Sequence, residues 1–181
     1  PMADFYNMPM QRVGVDLFGP FPKTDDGHEL VLHCVCWTTG FNYVDTLTDK
    51  KAETIAAALH KMFLLLGAPR EAIVSDNGRE FANAAMDLLL SKYDVRGIKM
   101  TPLNPKGNSR TERRHRLYNS ILRTCVNRYG KSWKQGVYVD NWCLNSRPRV
   151  GTTVSPFIVL LGFQPKAPSD GSTQAETGKP F

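Results

Sequence analysis

The sequence predicts an α/β domain with a mixed sheet, and three observations carry that expectation. Runs of β-branched and aromatic residues come first and close together, with only turn residues between them. Helical periodicities then alternate with two further short apolar runs, and the last third of the chain is mostly helical in pattern. A chain of 181 residues with 41% hydrophobic content and no low-complexity run can bury one sizeable core, so one domain is expected.

The first strand, residues 12 to 18, alternates around Val13, Val15 and Leu17, which sends Asp16 to the opposite face, and Gly19-Pro20 cannot extend a central ladder. After a turn at Asp25-Asp26-Gly27, residues 30 to 37 and 41 to 47 flank Thr38-Thr39-Gly40 and read as an antiparallel hairpin, completing a three-stranded meander. Thr48 or Asp49 is the expected cap of a helix whose apolar positions are Ile55, Leu59, Met62, Phe63 and Leu66, stopped by Gly67 and Pro69. Residues 72 to 74 form a short buried strand running into Ser75-Asp76-Asn77-Gly78, so Asp76 falls at a carboxyl end, where open α/β sheets place ligands.

A helix over 79 to 92, a strand over 98 to 101 and a breaker-rich loop over 102 to 109 are expected next. Ser109 or Thr111 then opens a long helix with Leu117, Ile121 and Cys125 facing inward and Glu112, Arg116, Asn119 and Arg123 on a second face. Glu112 would lie in the first turn, near the helix's positive end. A helix over 133 to 146 and a short one from Ser155-Pro156-Phe157 to Gly162 follow. Trp133, Trp142, Phe157 and Phe163 are expected in the core, and residues 169 to 181 carry no core-forming pattern and are expected to be disordered.

Net charge is +6, but residues 96 to 134 hold 11 of the 23 Lys and Arg and a single acid, Glu112. A field of that sign suits a polyanion such as a nucleic-acid backbone. An acid inside such a tract would oppose binding unless a metal cation turned it into a phosphate partner. No apolar stretch reaches the roughly 20 residues needed to cross a bilayer and the first residues show no signal pattern, so no membrane partner and an intracellular chain are expected. Cys34, Cys36, Cys125 and Cys143 lack the spacing of a disulfide framework and read as buried free thiols.

Three carboxylates, Asp16, Asp76 and Glu112, stand where different elements begin or end, and folding could gather them around divalent metal ions. Four motifs occur in order, with 35 residues between Asp76 and Glu112: Val15-Asp16-Leu17-Phe18-Gly19-Pro20, Ser75-Asp76-Asn77-Gly78-Arg79-Glu80-Phe81, Asn104-Pro105-Lys106-Gly107-Asn108-Ser109-Arg110-Thr111-Glu112-Arg113, and Ser155-Pro156-Phe157 with Leu161-Gly162-Phe163-Gln164-Pro165. In these motifs the chain resembles the catalytic core of a retroelement integrase of the gypsy-type LTR retrotransposons, and the likeness spans residues 5 to 168.

The resemblance implies a ribonuclease-H-like fold: a five-stranded mixed sheet in the order 3-2-1-4-5, flanked by helices on both faces. It implies a DDE-type polynucleotidyl transferase in which Asp16, Asp76 and Glu112 are catalytic and ligate two Mg²⁺ ions, with Mn²⁺ able to substitute, for 3′-end processing and strand transfer. Asn77, Gly78, Lys106, Asn108, Arg110, Arg113, Arg116, Asn119 and Arg123 would be DNA-binding. Its partners would be double-stranded DNA and a second copy of the chain, as a homodimer or higher oligomer, and its place the nucleus, with a cytoplasmic stage before entry. Departures from the family pattern are Ser109 for Gly, Arg110 for Gln, Cys36 for Asp, and Cys143-Leu144-Asn145 at the Tyr-Asn segment. None of these is an expected metal ligand, and they leave open a domesticated DNA-binding scaffold without catalysis, or a transposase of the same fold.

Overall fold

The structure is a computed structural model that describes residues 8–76, 78–99, 105–149 and 151–166, with the backbone alone at residue 79 and residues 105–116. Five strands form one sheet: β1 (Arg12–Phe18), β2 (Leu30–Cys36), β3 (Asn42–Leu47), β4 (Ala72–Ser75) and β5 (Arg96–Lys99), in the order β3-β2-β1-β4-β5. β1, β2 and β3 pair antiparallel, which short turns suffice to connect. β4 runs parallel to β1 and β5 parallel to β4, so each needs a crossover, supplied by α1 (Ala52–Leu66) and α2 (Ala84–Lys92). The mixed sheet and its strand order are those implied by the resemblance.

Side-chain alternation divides the core in two. Val13 and Val15 of β1 and Leu30, Leu32, Cys34 and Cys36 of β2 face α1 and α2, packing against Ile55, Leu59, Met62 and Phe63 of the first and Met86, Leu89 and Leu90 of the second. Phe18, Val31 and Val44 face the other way and meet α3 (Pro105–Tyr129) through Tyr118, Leu122 and Cys125, and α4 (Trp133–Ser146) through Trp133 and Val137. β2 is buried along its whole length because helices cover both of its faces. The short α5 (Pro156–Leu161) brings Phe157 edge-on to Phe41; Ser155 caps it by accepting from the Ile158 amide, and Gly162 closes it with φ 81°.

Several boundaries differ from expectation, each for a local reason. α1 is preceded by Lys51, whose side chain caps nothing, while Asp49 accepts from the Lys51 amide and the Thr54 hydroxyl just outside the helix. The expected helix over 79 to 92 is a 3₁₀ turn, Arg79–Phe81, followed by α2, because Asn83 accepts from the Met86 amide and restarts the helix there. β5 lies two residues earlier than expected. α3 begins at Pro105, inside the segment read as a loop, since proline is well tolerated in a first helical turn. Its inward face is Tyr118, Leu122 and Cys125; Leu117 is 60% exposed and Ile121 half-buried. Trp133 and Phe157 are core residues and Trp142 packs at the core's edge, but Phe163 is 61% exposed. The four cysteines are free, three of them buried. Among the described residues no helix is long and apolar enough to cross a membrane. Residues 169–181, expected to be disordered, lie outside the described residues.

Candidate active site

The parallel register of β1 and β4 builds the site. Arg12 pairs with Ala72, Val13 with Ile73 and Gly14 with Val74, and Asp76, just past the end of β4, lies near enough to Asp16 for its charge to act on it. Asp16 projects to the α3 face, opposite Val13 and Val15, and is half-buried; Asp76, just past the end of β4, is exposed. The Leu17 amide donates to Asp16 Oδ1 at 2.9 Å, and the Gly78 amide donates to Asp76 Oδ1 at 3.0 Å.

Burial pushes the Asp16 carboxyl up to about 6. The Leu17 amide works against this by favouring the charged form, and the charges of Asp76 and Glu80 add to it. Glu80 was not among the expected site residues. It folds back over Gly78, where a Cβ would stand 2.6 Å from its carboxyl group, so a side chain at 78 would displace it. Its signal in the sequence is its place two residues after Gly78, in the run that carries Asp76.

Glu112 lies on α3, seven residues after its start and so about two turns in, not in the first turn. The helix-end dipole, which fades within the first turn, therefore does little at that position. The side chains of Glu112, Lys106, Asn108, Arg110, Arg113 and Arg116 lie outside the described residues, as does Asn77. Among the described residues no three His, Cys, Asp or Glu side chains stand close enough to hold a metal by themselves.

Two expected DNA contacts are brought beside β1. Asn119 and Arg123 of α3, with Asn127 one turn further on, face Gly19, Pro20 and Phe21 across a groove of about 520 Å³. The chain leaves β1 there through a cis Gly19-Pro20 peptide. Gly19 has φ 127°, and a Cβ on it would stand 2.7 Å from the Glu29 carbonyl oxygen, so the close passage of residues 19–21 along β2 requires glycine. Asn127 could have been found by extending the Arg123 face by four residues.

No protein-family model matches the chain. It is 25% identical over 151 residues to the retrovirus-related Pol polyprotein from transposon 412 of Drosophila melanogaster, an alignment covering 83% of this chain and 12% of that protein. It is 27% identical over 131 residues to a transposon-derived protein of Caenorhabditis elegans, covering 65% of this chain and 46% of that one. The chain thus spans less than half the length of either relative. Among solved structures, the catalytic core domain of BIV integrase superposes with a TM-score of 0.66 at 16% identity, over 84% of this chain and 95% of that one. The simian T-cell lymphotropic virus intasome in complex with PP2A regulatory subunit B56 gamma gives 0.71 at 16% identity, over 90% of this chain and 59% of that one. The fold is that of the retroviral integrase catalytic cores, and a retrotransposon Pol polyprotein is a sequence relative.

Proposed function

We propose that this integrase-type core is an Mg²⁺-dependent polynucleotidyl transferase that trims the 3′ ends of double-stranded DNA and joins them to a target strand. The observation that carries the reading is the closeness of Asp16, half-buried on the face of β1 on which α3 packs, to the charge of Asp76 just past the end of the parallel strand β4. Clustered like charges in a half-buried place cost stability in the free protein, and such an arrangement is what a bound cation relieves.

The donor set fits the ion. Carboxylate oxygens are the hard ligands Mg²⁺ and Mn²⁺ prefer, and Asp16, Asp76 and, from α3, Glu112 would hold them. Bound there, the ions would supply activation of the attacking oxygen and stabilisation of the leaving one. The chain's own part is positional. The Leu17 and Gly78 amides fix one oxygen of each aspartate. Arg123 and Asn119 stand along the groove lined by residues 17 to 21, where a phosphate backbone would lie, and the basic α3 attracts it. No side chain is asked to form a covalent intermediate. The same reading includes a homodimer or higher oligomer acting on chromosomal DNA in the nucleus.

The test is reversal of strand transfer on a branched DNA substrate with Mg²⁺ or Mn²⁺, comparing the wild type with Asp76→Asn. The expected result is wild-type turnover and a loss of about 10³-fold or more in the variant, about 4 kcal/mol of barrier. Equal activity of the two removes Asp76 from the chemistry. Equal inactivity favours a DNA-binding scaffold of the same fold.

A further inference from the structure

His33 sits in the middle of β2 with none of its surface exposed. In the antiparallel register it is directly opposite Asp16, so the two side chains leave the same face of the sheet. A core position on a central strand does not call for a histidine, and burying its ring nitrogens carries a cost unless they are bonded. Here the bond is defined. Asn42 donates through Nδ2 to the Gly40 carbonyl at 3.1 Å, which leaves its Oδ1 as the acceptor of the His33 Nε2–H at 3.0 Å. Asn42 is itself held by Asn145 of α4, whose Oδ1 accepts from the Asn42 amide at 2.8 Å and whose Nδ2 donates to the Asn42 carbonyl at 2.7 Å. This polar chain from α4 through β3 to β2 sets the plane of the imidazole.

The plane matters because the ring's face meets Tyr118 of α3, with centroids 3.9 Å apart and planes 3° from parallel. Phe18, two residues beyond Asp16 on the same face of β1, tilts against both rings at 6.0 and 6.1 Å. Tyr118 is 2% exposed and its hydroxyl is buried with no hydrogen-bond partner among the described residues, so its ring rather than its polar tip makes the contact. It lies six residues after Glu112, about 9 Å along the helix axis. Helices resting on aliphatic contacts slide by small amounts; a stacked pair whose orientation is fixed from behind resists that.

We propose that Phe18, His33 and Tyr118 form an aromatic clamp that fixes helix α3, and with it Glu112, against the strand carrying Asp16. His33 is thereby a positioning residue of the site. The anchoring stands on the contacts alone; its consequence for metal binding rests on the function proposed above.

Hydrogen exchange on the full chain without metal reads the anchoring directly. His33→Phe keeps a ring to stack, His33→Gln keeps a donor for Asn42 and loses the stack, and Tyr118→Phe keeps the stack. The expected result is at least tenfold faster exchange over residues 106–121 in His33→Gln, with α1 and α2 unchanged, a smaller increase in His33→Phe, which keeps the stack but loses the bond that sets its plane, and wild-type protection of α3 in Tyr118→Phe. Exchange that rises evenly over the whole chain, or α3 protection unaltered by His33→Gln, overturns the clamp. The second readout is the Mn²⁺ concentration giving half of the metal-induced rise in Tm, expected to increase at least tenfold in His33→Gln and by less in His33→Phe. An unchanged half-point alongside loosened α3 overturns the positioning role. If wild type shows no response to Mn²⁺ at all, the proposed function fails, while the exchange data still decide the clamp.

Discussion

Two buried or half-buried carboxylates, on opposite faces of the same sheet, live in different company. Asp45, on edge strand β3, accepts from the Lys61 ammonium of α1 at 2.9 Å, from the Tyr138 hydroxyl at 3.2 Å and from the Thr46 amide at 3.0 Å. Asp16, on the central strand, accepts from the Leu17 amide but has Asp76 and Glu80 bearing on it with its own sign of charge. The first is arranged to hold α1 and α4 to the sheet edge. The second, half-buried beside charges of its own sign, stands where the proposed cation would relieve repulsion.

The contrast can be broken from the scaffold side first. Leu59 of α1 is fully buried against the sheet, and Leu59→Ala should lower stability by about 2–5 kcal/mol, read by denaturant unfolding, while the half-point of the Mn²⁺ response measured below Tm stays that of wild type. A change in the metal response with it would mean that the two faces are not separable.

The next effect has the opposite sign. With its folded-state pKa raised above the unfolded value, Asp16 binds a proton more readily in the folded chain, so metal-free stability should fall as pH rises from about 4 to about 6 and stay lower above that. Asp16→Asn should remove this slope and raise metal-free stability at pH 7 by about 1–2 kcal/mol, after allowance for solvent screening of a half-buried group. Thermal melts of both proteins across pH 4–8 check it; a variant less stable than wild type at pH 7 contradicts it.

The smallest effect sharpens the comparison at Asp45. Because Lys61 is itself 59% exposed, Lys61→Ala should cost only about 1 kcal/mol, with the loss reduced in high salt. A loss several times larger would make that pair a core element of the fold.

Much of this was legible in the residues. Alternation around Val13 and Val15 was enough to put Asp16 on the face opposite the valines, which the structure covers with α3, and the Ser-Asp-Asn-Gly sequence after a short apolar run put Asp76 at a strand end. α4 and α5 followed from periodicity, Ser155, Pro156 and Gly162. The beginning of α3 was misread because Pro105 and Gly107 are breakers in isolation, whereas proline at the first helical position interrupts no hydrogen bond. The inward face of α3 was misread by one position: apolarity favours Leu117 and Ile121, and only tertiary contact shows that Tyr118 is wanted for its ring. The roles of His33 and Glu80 depend on register and on a chain reversal at Gly78, neither of which a linear pattern carries.

The most direct measurement is a Mn²⁺ titration at pH 7 followed by thermal unfolding of wild type and Asp16→Asn. Wild type is expected to gain stability that grows with metal as binding linkage requires, about 2.7 kcal/mol at a hundredfold excess over the dissociation constant. Asp16→Asn, already more stable without metal, should gain none. A wild-type melting curve indifferent to Mn²⁺, or the same gain in Asp16→Asn, would contradict a metal-binding centre at Asp16.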